Sequence, residues 1–256
     1  MLILLSPAKI QNFKPEQLVR EHSQPEFMKE AESLVHEIRQ LSAYDLSKLL
    51  SINTSLAQQN ADRYFNWHLP FTKENAKQAV LVFNGEVFHG LDARSFSTED
   101  FTYLQSHLRI LSGLYGILRP WDLIQPYRLE ISTKIQIKNT KDIYSFWGDK
   151  ITQSLNKAFV KSGESRVLIN LTSGEYFKSI NRKLLQAEII DFEFLENKND
   201  EYRPIVVYIK KARGMMAKYL IENRINNIED LKGFSAEGYW FSERLSTESK
   251  FVFTRG

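Results

Sequence analysis

Two glycines, Gly113 and Gly116, interrupt an apolar pattern in ILSGLYGILRPWDLIQPYRLE (Ile110–Glu130), with Arg109 just before the segment and Arg119 and Arg128 inside it. Glycine admits a positive φ or a close backbone approach. Amide groups at the start of a following helix can then face a phosphate oxygen. A hairpin between two short helices built this way holds a nucleic-acid backbone without reading its bases, and Tyr115, Trp121 and Tyr127 are placed to pack or stack beside it. The competing reading is a corner between two helices in which Gly113 only ends the first. The local residues favour neither.

A second group of charges follows later. Arg203 to Arg224 carries Arg203, Lys210, Lys211, Arg213, Lys218 and Arg224 against Glu222 alone. Lys211, Gly214 and Lys218 fall at i, i+3 and i+7, on one helical face, while Ala212, Met216, Tyr219 and Leu220 offer the opposite apolar stripe. Such a helix suits one wall of an anion-binding cleft; a solvated helix surface is the plain alternative. A third set consists of polar residues beside apparent strand ends. Lys9, Asn84, Asp92, Glu175 and Lys178 could gather at one sheet edge, where α/β proteins place their sites; Glu86 and Asp149 lie at similar positions. LTSGEYFK (Leu171–Lys178) could hold an anion at a strand-to-helix turn or be an ordinary capped helix.

Other chemistry is excluded or unsupported. The chain has no cysteine, which removes disulfides, thiolate metal sites and a cysteine nucleophile. The five histidines (His22, His36, His68, His89 and His107) show no metal-binding spacing. No dinucleotide or phosphate-loop fingerprint and no GxSxG elbow occurs, so no metal and no cofactor is expected. The net charge of +3 over 256 residues argues for no partner by itself. MLILLSPAKIQNF is too short an apolar stretch for a signal peptide or a membrane span, so a cytoplasmic protein without a membrane partner is expected.

The elements that must position these residues follow from periodicity. Leu2–Leu5 reads as a short buried strand ended by Ser6-Pro7. From Pro25 to Leu50 the pattern is helical, with Phe27, Ala31, Leu34, Ile38 and Leu41 on one face; Ser55–Trp67 and Lys73–Lys77 are also expected to be helical. AVLVFNGEVF (Ala79–Phe88) predicts a strand and a turn. Ser97 with Asp100 predicts a capped helix that carries Phe101, Leu104, Leu108 and Leu111. Asp142–Lys161 reads as one helix stopped by Gly163. Arg166–Ser173, AEIIDFEFLE and PIVVYIKK read as strands, the last feeding a helix over Lys211–Arg224, and the C-terminal segment reads as a hairpin. The expected fold is one α/β domain spanning 1–256, a mixed sheet flanked by helices, with a helical N-terminal subdomain over about residues 14–78 as the alternative.

Six blocks in order carry a family resemblance: LSPAK (Leu5–Lys9), FNGEVFHGLDA (Phe83–Ala93), LSGLYGILRPWDLIQPYRLE (Leu111–Glu130), YSFWGDKIT (Tyr144–Thr152), LINLTSGEYFKSI (Leu168–Ile180) and ARGMMAKYLIENR (Ala212–Arg224). Together they resemble the YaaA family of bacterial peroxide-stress resistance proteins. That resemblance implies a cytoplasmic role in protection from hydrogen peroxide, a link to lower free intracellular iron, and DNA binding through a helix-hairpin-helix element beside a basic cleft. The segment Phe101–Arg128 is the place for that element, although its glycines stand three apart where such hairpins have them two apart.

The leading expectation is a peroxide-stress protein that binds duplex or branched DNA through backbone phosphates, using Arg109, Gly113, Gly116, Arg119, Arg128, Lys211, Arg213 and Lys218. The alternative is an enzyme acting on a small nucleotide or a nucleic-acid base at a pocket formed by Lys9, Asn84, Asp92, Glu175 and Lys178. Whether any reaction is catalysed, and the oligomeric state, stay open at this point.

Overall fold

The computed structural model describes residues 1–14, 21–137, 139–162 and 165–256. Gly163, the expected helix stop, lies outside them. In chain order the elements are β1 (Leu2–Leu5), α1 (Met28–Arg39), α2 (Ala43–Leu50), α3 (Thr54–Asn66), β2 (Lys77–Gln78), α4 (Ala79–Val82) and α5 (Glu86–Leu91). Then come α6 (Thr98–His107), β3 (Leu108–Ser112), β4 (Gly116–Leu118), β5 (Leu123–Ile124), α7 (Ile143–Trp147) and α8 (Lys150–Ser162). The last are β6 (Val167–Leu171), α9 (Gly174–Phe177), β7 (Glu188–Lys198), β8 (Glu201–Arg203), α10 (Val206–Glu222), β9 (Trp240–Phe241) and β10 (Lys250–Arg255).

A mixed sheet runs in the order β4-β3-β1-β6-β7-β10-β9, with β8 paired to β7. β1 is parallel to β3 and β6, β6 to β7, and β7 to β10, whereas β4 and β9 pair antiparallel at the two ends. β1 and β6 are buried along their whole length, as expected of strands covered on both faces. From β1 the chain moves toward β3 on one side; from β6 it moves toward β7 on the other. The carboxyl ends of β1 and β6 therefore flank a topological switch point, where open α/β sheets leave a crevice.

The N-terminal helices share the sheet's core. Ala31, Leu34 and Ile38 of α1 and Tyr64 of α3 belong to the same apolar cluster as Leu4 and Ile169. The periodic segment from Pro25 to Leu50 is two helices, because Ser42 starts a new one with a reciprocal cap to Asp45. The cap at Ser97–Asp100 forms as the spacing implies.

Several expected elements differ. The strand expected at the start of Ala79–Phe88 is the helix α4, with Ala79–Phe83 buried throughout, and the chain turns at Asn84–Gly85 before α5 starts at Glu86. A short apolar run buried on all sides carries no period that separates strand from helix. Lys73–Lys77 is a turn leading into β2, which pairs with β5. PIVVYIKK does not form a strand: α10 already starts at Val206 and continues to Glu222. The helix expected over Asp142–Lys161 is divided into α7 and α8 at Gly148, which takes a φ of 49°.

The largest correction concerns the glycine pair. Leu108 and Leu111 lie in β3 and not in a helix, and Gly113 and Gly116 belong to the tight turn of the β3–β4 hairpin. No helix-hairpin-helix forms over Phe101–Arg128: the segment is α6 followed by β3, β4 and β5. Both glycines are buried. A Cβ on Gly113 would overlap the Leu129 carbonyl, and one on Gly116 (φ 71°) would sit 2.7 Å from the Trp147 ring. The Trp147 indole N–H also donates to the Gly113 carbonyl at 2.9 Å. The turn is glycine-rich so that the chain's own Leu129–Glu130 backbone and Trp147 can lie against it.

Candidate functional site

A cavity of about 400 Å³ occupies the crevice at the switch point. Its floor is the carboxyl ends of β1 and β6, with Ser6–Gln11 following the first and Ser173, Glu175 and Tyr176 following the second. The other walls are Asn84–Val87 with His89, Tyr127–Glu130, and Lys210 with Arg213 from α10. Its size and mixed lining are those of a small-ligand site.

Local bonding holds each wall in place. The loop after β1 runs against the chain before α5: Asn12 N donates to the Val82 carbonyl at 2.8 Å and Asn84 N to the Ile10 carbonyl at 2.9 Å. Gly85 permits this approach, since a Cβ there would stand 2.9 Å from the Ala8 Cβ. The Ser6 hydroxyl accepts from Ser173 N at 2.9 Å, tying the ends of β1 and β6 together. Asn170 shapes the β6 end, its side-chain oxygen accepting from Thr172 N at 3.1 Å and from the Thr172 hydroxyl at 2.7 Å. The Tyr127–Glu130 wall is fixed from behind by Gly113 and by the Tyr64 hydroxyl, which donates to the Arg128 carbonyl at 2.6 Å. α10 lies on α5 because both are glycine at the crossing: a Cβ on Gly90 would overlap the Lys211 carbonyl, and one on Gly214 that of Val87. Gly214 does receive a close backbone, but it is the protein's own.

The charges in the cavity are unequally satisfied. Lys9 Nζ and Arg128 Nη2 share one carboxylate oxygen, Glu130 Oε1, at 3.2 and 3.4 Å. Glu175 accepts from the Ser132 hydroxyl at 2.6 Å. His89 bridges Glu86 Oε1 (3.3 Å) and Asn84 Oδ1 (3.1 Å) at the rim. Arg128 and Arg213 each hold an Nε shielded from solvent with no hydrogen-bond acceptor among the described residues, but Arg128 has its ion pair with Glu130, whereas only burial acts on the half-buried Arg213 and pushes its guanidinium below the usual arginine value. Among the described residues no carboxylate pairs with it. Lys210, exposed at the mouth, also has no ion-pair partner among them. Burial likewise holds the Tyr127 and Tyr176 hydroxyls protonated well above the ordinary tyrosine range, with Glu130 and Glu175 adding to the effect at Tyr176.

The residues singled out in the sequence separate into two sets. Lys9, Asn84, Glu175, Arg128 and Arg213 line the cavity together. Asp92 and Lys178 are outside its lining; Asp92 instead accepts from Lys218 Nζ at 2.8 Å. The remaining cations are engaged elsewhere. Arg109, half-buried on β3, donates to the Gln105 and Leu108 carbonyls at 3.1 and 2.7 Å, and desolvation lowers its pKa to about 10. Arg119 is held by Asp122 at 2.9 Å and by the Gln24 carbonyl at 2.8 Å. Lys211 pairs with Glu237, and Lys218 also meets Glu222 at 3.7 Å. The basic run Arg203–Arg224 is thus largely neutralised on folding.

Sequence reasoning missed His89 and Glu130, and named Lys210 only as one cation of the basic run Arg203–Arg224. For His89 a signal existed, because Asn84, Glu86 and His89 are spaced to meet at a helix start. For Glu130 none did, since its neighbours Lys9 and Arg128 come from different segments. Among the described residues no group of three or more His, Asp or Glu side chains is placed to hold a metal ion, and no helix is long and apolar enough to cross a membrane.

The whole arrangement lies within a region that matches one family model, the peroxide stress protein YaaA, over residues 1–245. The chain belongs to the YaaA family of peroxide stress proteins. The match takes in every wall of the cavity, from Ser6 to Arg213.

Proposed function

We propose that the protein serves peroxide-stress resistance in the cytoplasm by holding nucleic acid through phosphate, and that the phosphate-binding centre is the switch-point cavity and not the glycine turn. The observation that carries this reading is Arg213, a half-buried side chain with a solvent-shielded Nε and no anionic partner among the described residues. A cation withdrawn from water in this way is normally paired, and a planar guanidinium suits a phosphate. Lys210, Lys9 and Arg128 supply further positive charge around it. DNA remains the favoured form of nucleic acid, in keeping with the family's role in limiting oxidative damage. A link to lower free iron would then be indirect, and stoichiometric iron in protein purified without chelators would overturn that part.

With Lys211, Lys218, Arg119 and Arg109 already engaged, only a few phosphates are met. Each contributes a little under one unit to the log–log salt slope, so a slope of about −1 to −3 is expected. Titration of labelled duplex, branched and single-stranded DNA at low and moderate salt tests this, with Arg213→Ala as the control. Absence of binding at low salt, or unchanged affinity in Arg213→Ala, would sink the reading. A second reading, an enzyme acting on a free nucleotide, is favoured by the cavity's volume and by Glu130 and Glu175 on its walls. Turnover of a nucleotide in a metabolite screen would establish it.

A further inference from the structure

Arg213, the unpaired cation, does not lie on an open face. It forms part of a recess of about 400 Å³ whose other walls are largely apolar: Pro7, Val87, Leu129 and Leu171, with Tyr127 and Tyr176. A phosphate on the outside of an intact duplex is carried on a stiff, convex surface, and its base is stacked and paired inside. Such a strand can offer phosphate to the rim of the recess but nothing to its apolar interior. Four of the cations on and beside α10 are already engaged: Lys211, Lys218, Arg203 and Arg224 are paired with Glu237, Asp92, Glu201 and Asp100.

The rim has the opposite character. Ile10 is 65% exposed at the cavity edge. Beyond the lining, Val206 and Val207, exposed at 66% and 47%, stand four and three residues before Lys210 on the same face of α10. Aliphatic side chains beside a lysine offer apolar area to bases that have left the stack and a charge to the strand that carries them. Inside, Asn84, Ser6 and Ser173 place amide and hydroxyl groups where a base edge would meet them.

We propose that the cavity takes one unstacked nucleotide of a DNA strand, with its phosphate on Arg213 and Lys210 and its base between the apolar walls, so that the protein selects single-stranded or locally disrupted DNA over intact duplex. The proposal rests on the nucleic-acid reading above and narrows it. Removing a base from the stack is easiest where it is already mismatched or unpaired, and that supplies the preference.

The test uses the full chain and three oligonucleotides of one sequence at low salt: single-stranded, fully paired, and paired except for a central mismatched 2-aminopurine. Binding is followed by anisotropy and unstacking by 2-aminopurine fluorescence. The single strand and the mismatched duplex are expected to bind at least roughly tenfold tighter than the paired duplex, about 1.4 kcal/mol. Fluorescence of the mismatched probe should rise on binding, and a nucleoside 5′-monophosphate should compete better than inorganic phosphate. Equal affinity for all three DNAs with unchanged fluorescence would overturn the unstacked-nucleotide proposal and leave phosphate binding standing. Failure of every DNA to bind would overturn both.

Discussion

Arg213→Met makes the unpaired guanidinium testable as a matter of stability. The side chain's Nε is a buried donor without an acceptor, and an unsatisfied buried polar group costs about 1–3 kcal/mol, more when charged. Methionine keeps most of the aliphatic stem's packing and brings no donor. The variant is therefore expected to be more stable than the parent by about 1–2 kcal/mol in phosphate-free buffer. For a chain of this size that is a rise in Tm of about 2–4 °C per kcal/mol. Phosphate should reverse the ranking of responses. At about ten times its Kd it adds about 1.4 kcal/mol to the parent through binding to the folded state, and it should add nothing to Arg213→Met. Urea melts of both proteins with and without phosphate, at constant ionic strength, give the answer. If Arg213→Met loses more than about 1 kcal/mol without phosphate, the guanidinium holds the fold together and the ligand argument fails.

Three further outcomes follow from the packing. Gly214→Ala should force α10 away from the Val87 carbonyl, costing about 1–3 kcal/mol and weakening phosphate binding, because Arg213 is the adjacent residue; calorimetric titration and urea melts check both, and an unchanged protein refutes the crossing. Gly116→Ala, strained at φ 71° and pressed on Trp147, should lose about 1–3 kcal/mol while the folded fraction keeps its nucleic-acid affinity. Loss of affinity at full stability would return the phosphate role to the turn. Tyr64, Tyr115, Tyr127 and Tyr176 are all buried, and burial holds their hydroxyls protonated above the ordinary tyrosine pKa of about 10. Their folded pKa values exceed the unfolded one, so their contribution is whole below pH 10 and declines above it. Each removes about 1.4 kcal/mol per pH unit there, so together they should unfold the protein steeply just above pH 10, with tyrosinate absorbance appearing only as it unfolds.

What the sequence made legible was what local pattern decides. Leu2–Leu5 and Val167–Leu171 are buried on both faces and read as strands. Ser97 with Asp100 reads as a helix start from two side chains alone. The failures share a cause in tertiary contact. Val206, Val207 and Tyr208 look like strand residues, yet they are exposed in the first turns of a helix whose position is set later along it by Gly214 against α5. Gly113 and Gly116 looked like a means of admitting an outside phosphate. Their neighbours turned out to be Leu129–Glu130 and Trp147, brought from other segments. The same holds for the cavity. Lys9, Asn84 and Glu175 were legible as polar residues near strand or turn ends, but Glu130 and Lys210 gain meaning only from the residues beside them in space.

The placement of β1 at the middle of the sheet bears on synthesis. This strand is made before its partners, yet Leu108–Ile110 and Leu168–Leu171 arrive long afterwards, and pairings so distant in sequence form slowly. Its loop, Ser6–Gln11, faces Arg213 in the finished site. The cavity therefore lacks one wall until α10 has emerged. It is complete only once synthesis has passed Arg213, more than two hundred residues after the strand that forms its floor.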